Sequence, residues 1–301
     1  MYEQIAANKR KTVLLIVAAI VLLGAVGYVI GLLYSSGPIG LIGAVALAIV
    51  MSLVSYFSGD RIVLASTRAR QVTVEEQPRL HNVVEGLSIA AGIPMPKIYV
   101  IPERALNAFA TGRNPEHASI AVTEGLLEAM SRIELEGVIG HELAHVVDRD
   151  ILVGTVVATL IGAVVLISEF FMRSWWWGGG RRSGGKDSGG GASAIVFAIG
   201  LMFLVLAPII GQFVRLAVSR NREYLADAQG ALLTRYPPGL ADALRKIADG
   251  AAIPMRSANN ATAHLWLNQP SRIQGEGMGS LEKLFSTHPP IEDRIRRLRE
   301  M

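Results

Sequence analysis

Long apolar segments constrain this chain more than any other feature of its sequence. Four stretches reach the roughly 20 apolar residues that cross a hydrocarbon core of ~30 Å. They cover residues 12–34, about 38–57, 151–172 and about 192–214. The first is longer than the core of a signal peptide, so we expect it to be retained as a span. The pattern predicts an α-helical integral membrane protein with about four transmembrane helices.

The composition agrees with this interpretation. Hydrophobic residues make up 51% of the 301 residues and charged residues 18%, whereas a soluble chain carries nearer a quarter charged residues. Cysteine is absent, which excludes disulfides, thiolate metal sites and dithiol redox chemistry. The net charge of +4 is mild and no basic patch is interleaved with aromatic residues. We therefore expect no nucleic-acid partner.

The segment between the two pairs of apolar stretches is typical of a soluble α+β domain. A helical apolar stripe ends at Gly92, a natural helix stop. The β-branched runs at 97–101 and 118–122 predict strands, and residues 106–112 predict a third strand at a sheet edge. Residues 251–287 are rich in Asn, Gly and Ser and predict little regular structure, with a long substrate loop as one interpretation.

Basic residues predict the orientation of the first pair of spans. They cluster at 9–11 before the first span and recur at 61–70 after the second, which places both flanks in the cytoplasm. The basic residues around the other two spans favour neither orientation. The soluble segment is therefore expected on the cytoplasmic side.

The HExxH pattern of His141, Glu142 and His145 carries the chemistry. On a helix, positions i and i+4 share a face, so both imidazoles can bind one metal ion. Ser131 and Glu134 predict a capping box that starts this helix. Beside the first imidazole, the glutamate would take a proton from a water on a catalytic zinc ion. The alternative is a chance match of ordinary helix residues.

A third metal ligand must come from elsewhere, and Glu223 is the candidate. It lies four residues before Asp227 on a predicted helix, where the aspartate would accept a hydrogen bond from a ligand imidazole. Taken alone, such a pair is more often a solvated helix face. The two intervening spans would form an antiparallel hairpin that returns Glu223 to His145, close to the bilayer surface. The charged residues 148–150 would keep the metal helix outside the hydrocarbon.

The segments HELAHVVDRD, SRNREYLAD and STHPPIEDRI, in this order between hydrophobic hairpins, resemble those of the HtpX-type membrane zinc metalloproteases, relatives of the CAAX prenyl proteases. The resemblance covers nearly the whole chain; HVVDRD departs slightly from the HxxNRD of the family, outside the ligand set. It implies a zincin-like domain with one Zn²⁺ per chain, bound by His141, His145 and Glu223, and Glu142 as the general base. It also implies a prokaryotic plasma membrane location, with a role in quality control of membrane proteins.

Two further segments match this family. Residues 107–112 resemble the edge strand at the active site of this family, where a substrate backbone would add as a further strand. An ordinary strand of the core is an equal alternative. The residues are Asn107, Ala108, Phe109, Ala110, Thr111 and Gly112. His288 and Tyr224 are candidates for stabilising an oxyanion, and a turn-forming role for His-Pro-Pro is the alternative for the histidine.

These expectations divide the chain into four parts: an N-terminal transmembrane hairpin (1–57), the first half of the catalytic domain (58–150), a second membrane hairpin with a Gly-rich linker (151–218) and the second half of the catalytic domain (219–301). The expected function is cleavage of extended cytoplasmic segments of membrane proteins. A CAAX-type prenyl-peptide protease, a non-proteolytic zinc-binding scaffold and a transporter are the alternatives. The expected partners are the bilayer and unfolded polypeptide substrates, and the sequence carries no signal for an oligomeric state.

Overall fold

The computed structural model of the chain describes residues 2–33, 37–162, 220–258, 261–268 and 289–301. The predicted fourth span, the end of the predicted third span and His288 lie outside the described residues. The described part is mostly helical and contains a four-stranded sheet.

Two long helices form the N-terminal hairpin, α1 (Tyr2–Leu33) and α2 (Gly37–Ser66). They approach so closely that a Cβ atom on Gly27 would lie 2.1 Å from the Cβ of Ala44. Such contact through small residues is common between membrane helices. Among the described residues, α2 is the one helix long and apolar enough to cross a membrane. That the chain has about four transmembrane helices stays a prediction.

Helix α2 continues beyond its apolar part into the interior of the protein. Its 30 residues correspond to about 45 Å at 1.5 Å per residue, which exceeds a hydrocarbon core of ~30 Å. Near its end, Val63 and Leu64 are buried in a cluster that includes Phe109 and Trp266. One helix therefore joins the apolar hairpin to the core beneath the sheet.

The sheet has the strand order β1-β2-β4-β3. Its strands are β1 (Arg70–Gln71), β2 (Lys97–Ile101), β3 (Ala108–Gly112) and β4 (Ala118–Thr123). Strands β2 and β4 are parallel, and the other two pairs are antiparallel. The three predicted strands are confirmed, including the position of β3 at the edge, whereas the two-residue β1 is too short to show a sequence pattern.

Seven further helices complete the described fold: α3 (Pro78–Ala91), α4 (Glu124–Ala129), α5 (Arg132–Val147), α6 (Asp150–Gly162), α7 (Arg220–Thr234), α8 (Pro237–Asp249) and α9 (Ile291–Arg299). Helix α5 lies at the centre and packs against α3, α7, α8 and β3. It begins with the predicted capping box, in which Ser131 and Glu134 exchange both hydrogen bonds. Gly92 ends α3 in the left-handed conformation, with φ of 67°.

The expectation of little regular structure at residues 251–287 is confirmed for the described part, which holds one short 3-10 helix (Ala263–Leu265) among turns, but this part packs against the core. Met255, Trp266 and Leu267 are buried, and Trp266 packs edge to face on Phe109 with ring centroids 4.8 Å apart. The polar composition of the segment concealed these apolar anchors, because they are too few to form a periodic pattern.

Candidate active site

Three side chains with metal-binding atoms converge between α5 and α7. The Nε2 atoms of His141 and His145 lie 3.2 Å apart, and Glu223 Oε1 lies 3.6 Å from Nε2 of His145. The ligand atoms of the three residues all lie within 4.8 Å of one another. Two imidazoles and a carboxylate form a donor set found in catalytic zinc sites. These residues therefore fit a metal ion.

Glycines set the distance between the two helices that carry these ligands. A Cβ atom on Gly230 of α7 would lie 2.8 Å from the backbone nitrogen of His141 on α5. The backbones can approach this closely only without a side chain at that position. The crossing lies two turns beyond Glu223 on α7 and so brings its carboxylate to the face of α5 that carries both imidazoles.

Asp227 and Arg294 hold the ring of His141. Asp227 Oδ1 lies 2.9 Å from Nδ1 of His141, and because a carboxylate only accepts, Nδ1 carries the proton and Nε2 is left for a metal. Arg294 donates to both carboxylate oxygens of Asp227, at 2.8 Å and 2.7 Å. Burial opposes ionisation of Asp227, but the charge and hydrogen bonds of Arg294 outweigh it and lower its pKa to about 2.

Asp150 holds the ring of His145 in the same way. Its Oδ2 accepts a hydrogen bond from Nδ1 of His145 at 3.1 Å. Burial lowers the pKa of this imidazole, but the bond to Asp150 and the charge of Glu223 raise it to about 9. The charge of residues 148–150 predicts only a flank that stays outside the hydrocarbon. The structure adds a second role, since Asp148 is buried and Asp150 contacts a candidate metal ligand.

Glu142 lies beside the two imidazoles, and its side chain is buried. Burial is the largest influence on its carboxyl and raises the pKa to about 7, although the nearby backbone N–H of Ala110 favours the charged form. A carboxylate with a pKa near the working pH is suited to general-base catalysis. Glu142 thus lies next to the middle of β3, where it lines one cavity with Ala110.

The outer edge of β3 is occupied by groups of the same chain. Asn107, just before β3, forms a hydrogen-bonded pair with Thr123 of β4. Bonded and non-bonded pairs alternate along an antiparallel ladder. The backbone groups of Ala108, Ala110 and Gly112 therefore point away from β4. The carbonyl of Ala108 accepts from the N–H of Leu267 at 3.0 Å.

The side chain of Asn107 pairs with the backbone of Asn268, donating to its carbonyl at 2.7 Å and accepting from its N–H at 3.1 Å. The N–H of Gly112 donates to Thr155 Oγ1 at 3.1 Å. The predicted substrate residues thus lie next to Glu142, but this conformation covers the edge along which a substrate strand would add.

A cavity of about 60 Å³ remains at the site, far below the 300–1,000 Å³ of typical ligand pockets. Its lining includes His141, Glu142, His145, Glu223, His264 and Trp266. His264 and Trp266 were not predicted, because they lie in the segment without a periodic pattern. The cavity has room for little more than water in this conformation.

Tyr224 does not point into this cavity, so its prediction as an oxyanion group is wrong. Its hydroxyl donates to Asp293 Oδ2 at 2.6 Å, and the guanidinium of Arg297 lies 3.9 Å from its ring centre. The adjacent Glu223 points inward on α7, and one residue further along a helix turns the side chain by about 100°. Arg294, by contrast, was missed, because a single arginine on a charged helix carries no distinctive signal.

The sequence is similar to proteins of one peptidase family. The model of peptidase family M48 matches residues 74–301. A protease HtpX homolog from Thermoanaerobacter pseudethanolicus is 45% identical over 301 residues, covering 100% of this chain and 98% of the relative. A protease HtpX homolog from Lactobacillus acidophilus is 43% identical over 304 residues, covering 100% of both chains.

The fold is similar to that of a solved structure. The crystal structure of Ste24p from S. mikatae matches with a TM-score of 0.51 at 17% identity, covering 99% of this chain and 67% of that one. The mostly helical architecture described above is therefore Ste24p-like. Together with the family match over residues 74–301, these similarities show that the chain belongs to peptidase family M48.

Proposed function

We propose that the protein is a membrane-bound, zinc-dependent endopeptidase that cleaves cytoplasmic segments of misfolded or damaged membrane proteins. One observation carries this proposal. The ligand atoms of His141, His145 and Glu223 converge within 4.8 Å, and Glu142 lines the same cavity as these ligands and Ala110 of the edge strand. This arrangement supports a general base beside a metal site, next to a strand that would bind the peptide.

The three ligands would hold one zinc ion, which when bound supplies a polarising charge for the scissile carbonyl and for the attacking water. Glu142 accepts the proton of that water and delivers it to the leaving amine. Its burial supports this role, because the raised pKa of about 7 allows the carboxyl both to take up and to release a proton near neutral pH.

An extended substrate would bind along β3 by addition of a strand. The outward groups of Ala108 and Gly112 would bond to the substrate backbone, after Leu267 and Thr155 leave them. Only a segment without its own strand partners can bind in this way. This requirement favours unfolded or extended polypeptides as substrates.

The position of the apolar helices supports a site near the bilayer surface, where it would meet segments of membrane proteins. Helix α6, the described part of the predicted third span, begins at Asp150, which contacts the metal ligand His145. Much of α2 is exposed in the protein, with Ile39 and Ile42 exposed by 73% and 68%, as expected for lipid contact. The basic residues that flank the first pair of spans favour the cytoplasmic side. The site would therefore face the cytoplasm, in a protein that crosses the plasma membrane several times.

The proposal is tested with detergent-solubilised full-length protein and unfolded casein. Wild type should cleave casein, lose activity with a zinc chelator and regain it with added zinc, and Glu142→Gln should lose at least 100-fold of the rate. Glu136→Gln is the matched control, since this partly exposed carboxylate on α5 pairs only with Arg132 in the described structure and should leave the rate unchanged. Equal rates for wild type and Glu142→Gln would refute the mechanism.

Two further substrates separate the alternatives. A membrane protein with an unfolded cytoplasmic domain, reconstituted with the enzyme in liposomes, should be cleaved faster than its folded form. Faster cleavage of a farnesylated peptide than of either protein would favour a prenyl-peptide protease. Zinc binding without Glu142-dependent cleavage of any of them would favour a non-proteolytic scaffold.

A further inference from the structure

We propose that Asn8, in the N-terminal helix α1, is a positioning residue of the metal site. It fixes the carboxylate of Asp150, which in turn orients the ligand His145. The N-terminal helix would then be part of the metal site as well as a membrane anchor. The inference rests on the proposed zinc site, and it is tested by zinc binding independently of proteolysis.

The side chain of Asn8 is 2% exposed and contacts the segment that follows the metal helix. Its Nδ2 donates to the backbone carbonyl of Asp148 at 2.9 Å and to Oδ1 of Asp150 at 2.7 Å. Its Oδ1 accepts from Nη1 of Arg222 at 3.3 Å. A primary amide has two donor hydrogens and one acceptor oxygen, and all three are used here. Of the partners, Asp150 contacts His145 and Arg222 precedes Glu223 in the sequence.

These contacts constrain Asp150. Its Oδ1 accepts from both Asn8 and Arg222, at 2.7 Å and 2.5 Å. With this oxygen held, Oδ2 points at Nδ1 of His145, at 3.1 Å. Hydrogen bonds of this kind fix both the tautomer and the ring orientation of a metal-binding histidine. Without Asn8, Oδ1 of Asp150 would keep the hydrogen bond from Arg222 but lose that of the amide, and the carboxylate could turn away from the imidazole.

Packing of α1 fixes the position from which Asn8 acts. Leu15 and Ala19 are buried, and Ala19 packs in one cluster with Leu152 and Val156 of α6. A shift of α1 by one residue would move Asn8 by about 1.5 Å, which exceeds the tolerance of a hydrogen bond. The position of the first helix against α6 is thereby linked to the orientation of His145.

The test measures the dissociation constant for Zn²⁺ of the full-length protein in detergent, by competition with a fluorescent chelator. Asn8→Ala should weaken zinc binding about tenfold. Asn8→Asp keeps the shape but places a second carboxylate beside Asp150, and should weaken binding further. Lys9→Ala, an exposed neighbour on the same helix, is the control and should bind zinc like wild type. The melting temperature of each metal-free protein is measured in parallel.

A double-mutant cycle distinguishes positioning from simple anchoring of the helix. If Asn8 acts through Asp150, then Asn8→Ala should have little further effect on zinc affinity once Asp150→Ala is present. Additive losses, or wild-type zinc affinity in Asn8→Ala, would overturn the proposal. A lower metal-free melting temperature together with additive losses of zinc affinity would assign the residue to helix anchoring and overturn the proposal. Wild type that binds zinc without cleaving casein would refute only the proposed protease.

Discussion

Arg294 and Asp227 form a doubly hydrogen-bonded ion pair, at 2.8 Å and 2.7 Å, from which water is nearly excluded. The pair joins the C-terminal helix α9 to α7, and Asp227 contacts the ligand His141 at 2.9 Å. Removing one member of a buried pair leaves the other charge without compensation. Helix α9 therefore contributes to the candidate metal site.

We expect Arg294→Ala to destabilise the protein by about 3–5 kcal/mol. The exposed Arg297 on the same helix is the matched control, and Arg297→Ala should change stability by no more than about 1 kcal/mol. Thermal unfolding of both variants in detergent checks this prediction. Similar melting temperatures for the two variants would show that the buried pair does not stabilise the fold.

Zinc affinity should fall as the pH is lowered below about 9, because the pKa of His145 in the metal-free protein is raised to about 9. The protonated imidazole cannot bind a metal, so below this pKa each zinc ion must displace a proton. We expect affinity to fall about tenfold per pH unit between pH 9 and pH 7. Chelator competition across this range measures it. In Asp150→Asn the decline should begin at a lower pH, and a flat profile in wild type would contradict the prediction.

Binding of a substrate should release the N–H of Leu267 from the carbonyl of Ala108, to which it donates at 3.0 Å. We expect the amide of Leu267 to exchange hydrogen faster when unfolded casein is bound to the inactive Glu142→Gln protein, while amides of β3 become more protected. Hydrogen-exchange mass spectrometry resolves the two peptides. Protection of β3 with unchanged exchange at Leu267 would mean that substrates bind beside this segment without displacing it.

Gly230→Ala should separate α7 from α5, because the new Cβ would lie 2.8 Å from the backbone nitrogen of His141. We expect a loss of about 1–3 kcal/mol in stability and weaker zinc binding. Gly86→Ala is the control: it lies inside α3 with nothing within 4 Å of the added Cβ, and should be neutral or stabilising by up to about 1 kcal/mol. Equal zinc affinity in both variants would show that the distance between α5 and α7 does not affect zinc binding.

The sequence predicts the local parts of this structure well. The metal helix follows from a capping box and an i, i+4 histidine pair, and the strands follow from short β-branched runs between turn residues. These signals depend on neighbours within a few residues.

The missed parts depend on contacts between distant residues. Asn8 meets Asp150 from the far end of the chain, and Arg294 meets Asp227 from another helix. Charged residues that flank an apolar segment suggest solvent exposure, which hid the role of Asp150. Tyr224 was assigned to the site because it is adjacent to Glu223, although neighbouring residues on a helix point in different directions.

The unbroken helix α2 would transmit the thickness of a surrounding bilayer to the edge strand. In a bilayer, a helix longer than the hydrocarbon core adapts by tilting. Helix α2 is continuous from its apolar part to Val63 beneath the sheet. A change of tilt at one end therefore swings the other end against Phe109 on the edge strand. We therefore expect the length of the acyl chains to alter the packing around this strand, so that a thin membrane and a thick one would favour different arrangements of the same polypeptide.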